Sequence, residues 1–354
     1  MAVSCPWIEA IRKSLVAPAA LIPHEDRPQD RAVVGSGPSS RGRYPEPVKV
    51  TILAGGTGGT KLAHGFAMLD DVELTAIANV GDDAEVHSHL VCPDIDALLY
   101  TLSGLLDTER GWGVRGDTST AKAMFERLGE PTWFHVGDAD LATHAHRTRL
   151  LREGATLTDA IGAMASALGI TARILPATDD RYRTVLETDA GTLEFQEYFV
   201  HRRQEPTVHA VRFEGDARPT HAALDALGHA DLLVIGPSNP IVSIGPILAL
   251  PGMREALASA SAPVVAVSPI VGGVALKGPA DRMLTSLGHE SSALGVARLY
   301  AGLADRFVVD EADASAAAAI AAETGMAVGV LPTVMRTDDD RRQLAAALLG
   351  DMRR

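Results

Sequence analysis

VKVTILAGGTGGTKLAHGF, residues 48–66, reads as a buried strand, a glycine turn and a helix that begins at once. Val48 to Ala54 is a short β-branched run, and Gly55, Gly56, Thr57, Gly58 and Gly59 follow with nothing larger than threonine. Thr60 or Lys61 is expected to open a helix carrying Leu62, Phe66 and Leu69 on its apolar face. Glycines let a backbone turn with positive φ and let a ligand approach the peptide groups closely. A helix N-terminus beyond such a turn presents unpaired N–H groups and the positive end of its dipole, which suits phosphate. The spacing is not G-x-x-x-x-G-K-[ST] and fits G-x-G-x-x-G imperfectly. The run therefore indicates a phosphate or nucleotide loop without fixing its class, against the alternative of a plain tight turn.

The next strand, Glu73 to Val80, ends in Gly81-Asp82-Asp83, acids at the strand edge where open α/β sheets bind ligands. Cys92-Pro93-Asp94-Ile95-Asp96 then opens a helix, Ala97 to Leu106, with Leu98, Leu99, Leu102, Leu105 and Leu106 on its buried side. Acids in a first turn cap N–H groups and complement the helix dipole, which is the structural explanation for Asp94 and Asp96. Yet Asp82, Asp83, Asp94 and Asp96 leave the same sheet edge beside a phosphate loop, and hard oxygen ligands so placed are what Mg²⁺ requires. The loop Gly111-Trp112-Gly113-Val114-Arg115-Gly116 holds a tryptophan between glycines, a candidate pocket wall for a planar ligand. Thr118 or Ser119 caps the following helix. Asp138 to Arg152 is helical, and His144 and His146, two residues apart, share no helical face for zinc. Thr156 and Asp159 resemble a capping box for a helix to Leu168.

From Ala172 to Val211 the pattern changes to short strands separated by Asp- and Gly-containing turns, a small unit inserted into the main fold. Arg202-Arg203 within it suits an anion or simply solvent. The buried-strand pattern then resumes. Asp231 to Gly236 leads into Pro237-Ser238-Asn239-Pro240, and Pro263 to Ser268 leads into Gly272-Gly273, with Lys277 soon after. Three loops of small residues at one sheet edge strengthen the phosphate reading. Late strands at Phe307–Val309 and Ala327–Leu331, and helices at Ala314–Thr324 and Asp338–Leu349, complete the chain. The expected fold is α/β and Rossmann-like: a mostly parallel sheet with helices on both faces and a small inserted α+β subdomain. Its divisions are an N-terminal extension of little structure (1–47), a first Rossmann-like part (48–137), the insertion (138–215) and a second Rossmann-like part (216–354).

Composition sets limits on function. The 354 residues are 46% hydrophobic and only 4% aromatic, which fits an aliphatic core around a parallel sheet. A net charge of −13 argues against a nucleic-acid surface. The two cysteines, Cys5 and Cys92, make no disulfide framework, so a reducing cytoplasm is expected. No apolar run is long enough to span a membrane. Residues 23–47, rich in Pro, Gly, Ser and Arg, read as disorder or linker, after a short amphipathic helix within Ala2–Leu21.

AGGTGGTKL, NVGDDAEVHSHLVCPDIDALLYTL, RGWGVRGDT, GPSNPIVSIGPILALPG and SPIVGGVALKGPA, in that order, resemble the 2-phospho-L-lactate transferase family (CofD/FbiA) of coenzyme F-420 biosynthesis. The resemblance runs from about Lys49 to the late strands. Thr60 departs from it, since members often carry Pro or Ala there. What it implies is a Mg²⁺-dependent transferase of substituted phosphate groups. The terminal ribityl hydroxyl of the deazaflavin Fo attacks the distal phosphate of a guanosine diphosphate that carries a three-carbon acid, enolpyruvyl or lactyl, and GMP leaves. On that reading Gly55, Gly56, Thr57, Gly58, Gly59, Lys61, Ser238, Asn239, Ser268, Gly272 and Gly273 bind the donor. Asp82 and Asp96 hold the metal, Asp83 orients or deprotonates the hydroxyl, and Asp96, Trp112 and Gly113 meet Fo. A homodimer is implied as well. Two other readings stay open: a nucleotide-sugar-binding regulator of the YvcK-like relatives, which share a similar glycine loop, and an NAD(P) oxidoreductase.

Overall fold

Short aliphatic runs make the framework. Val48–Ala54 (β1), Val72–Ala78 (β2), Arg173–Pro176 (β3), Leu232–Ile235 (β4), Val264–Val267 (β5), Arg306–Val309 (β6) and Ala327–Val330 (β7) form one sheet. Central positions are buried on both faces, as a sheet covered by helices on each side requires; Ile52, Leu53, Ala76, Ile77, Ile235, Val267 and Phe307 are at most 1% exposed. The structure is a computed structural model that describes residues 46–352, residue 277 apart. The expectations for residues 1–45 and for Lys277 lie outside the described residues.

The strand order is β3-β2-β1-β4-β5-β6-β7, with every neighbouring pair parallel. This is the doubly wound order, and its direction reverses between β1 and β4, where ligands bind outside the carboxyl ends of the strands. The register brings those ends level, with Ala54 opposite Ala78 and Leu53 opposite Ile235. The loops beginning at Gly55, Asn79 and Gly236 therefore rise side by side. The Rossmann-like α/β reading holds.

Several element boundaries differ from expectation. The helix after β1, Gly56–Ala67 (α1), begins inside the glycine run rather than at Thr60 or Lys61. Leu62, Ala63 and Phe66 are fully buried under it. Gly65 lets α1 lie against the last helix, Asp338–Met352, because a Cβ there would overlap the carbonyl oxygen of Arg341. The helix Pro93–Leu102 (α2) stops at Ser103 and Gly104, which has φ +73°, so Leu105 lies beyond it and is 36% exposed. Ser119 precedes Thr120–Leu128 (α3) but its side chain makes no capping bond. The amides of Thr120 and Ala121 donate instead to the Asp138 carboxylate, from the first turn of Asp138–Arg152 (α4). The Thr156–Asp159 capping box forms as expected ahead of Leu157–Ala167 (α5).

Within residues 138–215, β3 joins the main sheet as its edge strand next to β2. Besides α4 and α5, the insertion holds a three-stranded antiparallel sheet, Gly191–Glu194 against Arg183–Thr188 against Val208–Glu214. It reaches back to the carboxyl edge of the main sheet: the Thr184 amide donates to the carbonyl of Gly81.

Candidate active site

Three buried carboxylates gather where β1 and β2 end. Asn79, fully buried just past β2, organises them. Its Oδ1 accepts from the Gly81 amide at 2.7 Å, which shapes the Gly81-Asp82-Asp83 turn, and its Nδ2 donates to Asp94 Oδ2 at 2.9 Å. Asp94 Oδ1 accepts from the Gly56 amide at 2.6 Å. Asp94 thus caps the neighbouring helix α1 and ties the glycine turn to the acid turn, a use that its place in the first turn of α2 did not reveal.

Asp82 and Asp83 are 6% and 5% exposed, and Oδ1 of each lacks a hydrogen-bond partner among the described residues. Burial drives the Asp82 carboxyl well above its usual range, and the neighbouring Asp94 and Asp83 charges add to the effect. Burial raises Asp83 to about 7, against the opposing pull of the Cys92 thiol, Arg183 and Arg147. Burial likewise raises Asp94 to about 6, opposed by the Gly56 amide and Asn79. Like charges in a desolvated site disfavour ionisation, and a bound cation relieves them. The donor set is oxygen only, with unpaired oxygens on Asp82 and Asp83, and so fits a hard divalent ion. Mg²⁺ usually takes one or two carboxylates and completes its shell with water and substrate phosphate. Among the described residues no three or more His, Cys, Asp or Glu side chains are arranged to hold a metal ion by themselves.

Asp96 has a different role from the one expected. Both of its oxygens face the guanidinium of Arg147, which is 0% exposed and also donates to the carbonyl of Leu90. Asp96 Oδ2 further accepts from the Cys92 amide at 3.2 Å, and His144 Nδ1 lies 3.5 Å from it without hydrogen-bond alignment. Asp96 is therefore the anchor between α2 and α4, neither positioned as a metal ligand nor offered to a second ligand. The buried face of α4 consists of Asp140, His144, Arg147 and Thr148, with Tyr100 Oη donating to Asp140 Oδ1 at 2.6 Å. That spacing of four, three and one is a helix face with polar residues where apolar ones would sit, and it was the readable signal of a buried polar network.

The glycines of the first loop answer mainly to packing. A Cβ on Gly55 would lie 2.6 Å from the Ser243 carbonyl oxygen, and one on Gly58 would overlap the carbonyl oxygen of Pro237. The Gly59 amide donates to Ser238 Oγ at 2.9 Å. The β1 and β4 loops thus clasp each other across the switch point. Gly56 takes φ +63°, and Thr60 Oγ1 bonds back to its carbonyl. The first-turn amides of Thr57 and Gly58 have no intrahelical acceptor and are the part of the loop suited to phosphate. Gly58→Ala is expected to force the Pro237–Ser243 segment away. The cost should be about 1–3 kcal/mol, read as a lowered unfolding midpoint together with weakened nucleotide binding.

Other donor-binding candidates are occupied locally. Lys61 Nζ donates to the Met335 carbonyl at 2.8 Å, toward the C-terminal segment. Asn239 Oδ1 accepts from the amides of Ile241 and Val242, holding its own loop. Ser268 Oγ bonds both ways with Ile270 in a local turn. Gly272 and Gly273, at φ +59° and +81°, form the two-residue turn of a hairpin between Ile270–Val271 and Val274–Ala275, exposed beyond β5. Trp112 is 48% exposed, edge-on to His135 at 5.3 Å with the Arg110 guanidinium 5.7 Å from its ring. Gly113 beside it takes φ +72°.

The insertion supplies residues that the sequence reading did not single out. Gln196 Nε2 donates to the carbonyl of Asp82 at 2.9 Å. Arg183, Thr184 and Gln196 line a hollow together with Gly81, Asp82 and Asp83. No local motif marks these residues, because strand pairing across the insertion brings them to the acid turn.

The model of the family described as 2-phospho-L-lactate transferase CofD matches residues 50–343. A protein of Streptomyces griseus named phosphoenolpyruvate transferase is 40% identical over 311 residues, covering 85% of this chain and 98% of its own. One of the same name from Mycobacterium tuberculosis H37Rv is 42% identical over 294 residues, covering 75% and 89%. Among solved structures, a UPF0052-family protein of Bacillus halodurans superposes with a TM-score of 0.59 at 18% identity, covering 86% of this chain and 99% of that one, a likeness of fold.

Proposed function

The chain belongs to the 2-phospho-L-lactate transferase CofD family, and from that premise we propose that it transfers an enolpyruvyl phosphate from a guanosine-diphosphate donor to the terminal hydroxyl of deazaflavin Fo, releasing GMP, in the making of coenzyme F-420. The observation that carries this reading is the trio of buried carboxylates, two of them with an unpaired oxygen, beside the first turn of α1, at the switch point of the sheet. The enolpyruvyl choice follows the relatives at about 40% identity that are named phosphoenolpyruvate transferase, and a lactyl donor is the variant to test against it.

In this proposal the amides of Thr57 and Gly58 take phosphate oxygens, and Asp82, through its unpaired Oδ1, would hold Mg²⁺. When bound, the ion neutralises charge on the phosphates of the donor. Asp83 accepts the proton of the attacking Fo hydroxyl at its unpaired Oδ1. Asn79 and Gln196 fix the turn that carries Asp82 and Asp83. Catalysis of this type is chiefly positioning and charge stabilisation. Among the described residues no helix is long and apolar enough to cross a membrane; a cytoplasmic homodimer belongs to the same proposal.

Incubating the purified protein with Fo, Mg²⁺ and the enolpyruvyl or lactyl guanosine diphosphate tests it. The expected result is a deazaflavin whose mass gain equals the enolpyruvyl phosphodiester, lost on adding EDTA. A gain matching the lactyl product alone would change the donor. Nucleotide binding with no product from either donor would replace the transferase by a nucleotide-binding regulator.

A further inference from the structure

Arg183 stands at the start of the strand Arg183–Thr188, where the insertion meets the acid turn. It is half-buried and lines the same hollow as Asp82, Asp83, Thr184 and Gln196. Its Nη1 donates to the carbonyl of its neighbour Tyr182 at 2.9 Å, and among the described residues it has no carboxylate within ion-pair distance. The other cations of this region are committed: Arg147 to Asp96, and Lys61 to the Met335 carbonyl. Arg183 is thus the cation at the acid turn with hydrogen-bonding capacity left for a ligand.

The groups along the sheet edge follow one another in a fixed sequence. The first turn of α1 touches Asp94 through the Gly56 amide, Asp94 acts electrostatically on Asp82, Asp83 follows Asp82 in the turn, and Arg183 lines the same hollow as Asp82 and Asp83. A donor with its diphosphate over α1 and its distal phosphate at the carboxylates would extend its three-carbon acid towards Arg183. The planar guanidinium fork matches a carboxylate in two parallel hydrogen bonds. The hollow is about 10 Å³, room for about one water molecule, so the ligand would meet the half-exposed guanidinium at its mouth.

We propose that Arg183 binds the carboxylate of the three-carbon acid and so selects acid-bearing donors over plain guanosine diphosphate. This rests on the transferase reading above. The test compares GDP with the enolpyruvyl guanosine diphosphate on wild type, Arg183→Ala and Arg183→Lys, by calorimetric binding and by steady-state kinetics, with unfolding midpoints as the control for folding. The wild type should bind the acid-bearing donor more tightly than GDP. Arg183→Ala should raise Kd and KM for that donor about 10–100-fold, the loss of a charge-assisted contact, while its Kd for GDP moves by less than about 3-fold. Arg183→Lys should recover part of the loss, since it keeps the charge without the fork. Equal weakening of both ligands would overturn the carboxylate contact and place Arg183 on the phosphates or on the acids. No change in either ligand, or a wild type that does not distinguish them, would overturn it as well. A wild type that binds no guanosine nucleotide would instead overturn the functional reading, and the assignment with it.

Discussion

Asp83→Asn is expected to lower turnover by about 10²–10⁴-fold, the usual worth of a general base, while making the metal-free protein more stable above neutral pH. The sign follows from the direction of the shift. Burial raises the folded-state Asp83 carboxyl to about 7, against about 4 in the unfolded chain. Between those values the folded state holds a proton that the unfolded state has released, so stability falls as pH rises. The loss from this group is complete above about pH 7 and amounts to ~4 kcal/mol. Asp94, raised to about 6, and Asp82 act in the same direction. Chemical denaturation in EDTA from pH 4.5 to 8 should show wild-type stability declining across this window, with a shallower decline in Asp83→Asn. Mg²⁺ should recover part of the wild-type loss at high pH. Parallel pH profiles for the two proteins would mean that Asp83 ionises freely in the fold, and would remove the basis for its role as base.

Arg147→Ala should destabilise the fold by about 3–5 kcal/mol, because it strands the Asp96 carboxylate in a fully buried site. Arg147 contributes more than charge. Its guanidinium also holds the Leu90 carbonyl, so its loss loosens the segment leading to Cys92 and α2. Replacing the pair together, Arg147→Met with Asp96→Leu, removes both charges and should restore most of the stability. That double variant also decides the role of Asp96. If Asp96 only anchors α4, the double variant keeps its Mg²⁺-dependent shift in unfolding midpoint; loss of that shift with the fold intact would return Asp96 to the metal site. Single Asp96→Ala cannot make this distinction, since it leaves a charged arginine buried and alone.

The switch-point architecture was legible because parallel strands covered on both faces must be largely aliphatic runs, as LLVI of β4 and VVAV of β5 are, whereas β3 reads as part of the insertion and only strand pairing places it beside β2. The small-residue loops at their carboxyl ends were legible for the same reason, as breaks in that pattern. Asp82 and Asp83 stand out in the sequence because they sit directly in such a break. The pairing of Asp96 with Arg147 was not legible: an acid in a first helical turn looks the same in sequence whether it faces a ligand, a solvent-exposed amide or a buried arginine on another helix. Gly58 and Gly59 suggested a ligand, but the bodies closest to them are Pro237 and Ser238, whose approach depends on how the β1 and β4 loops rise side by side.

By itself, then, the sequence determined what local periodicity and turn chemistry encode: the doubly wound sheet, the edge that carries the site, and the acids at the end of β2. The tertiary structure decided which side chains share that site. It brought Asp94 to the glycine turn, withdrew Asp96 to Arg147, directed Lys61 to Met335, and delivered Arg183, Thr184 and Gln196 from an inserted sheet. These are pairings between residues remote along the chain. They are fixed by strand register and by the requirement that each buried charge find a partner, and neither is written in the local pattern around any one residue.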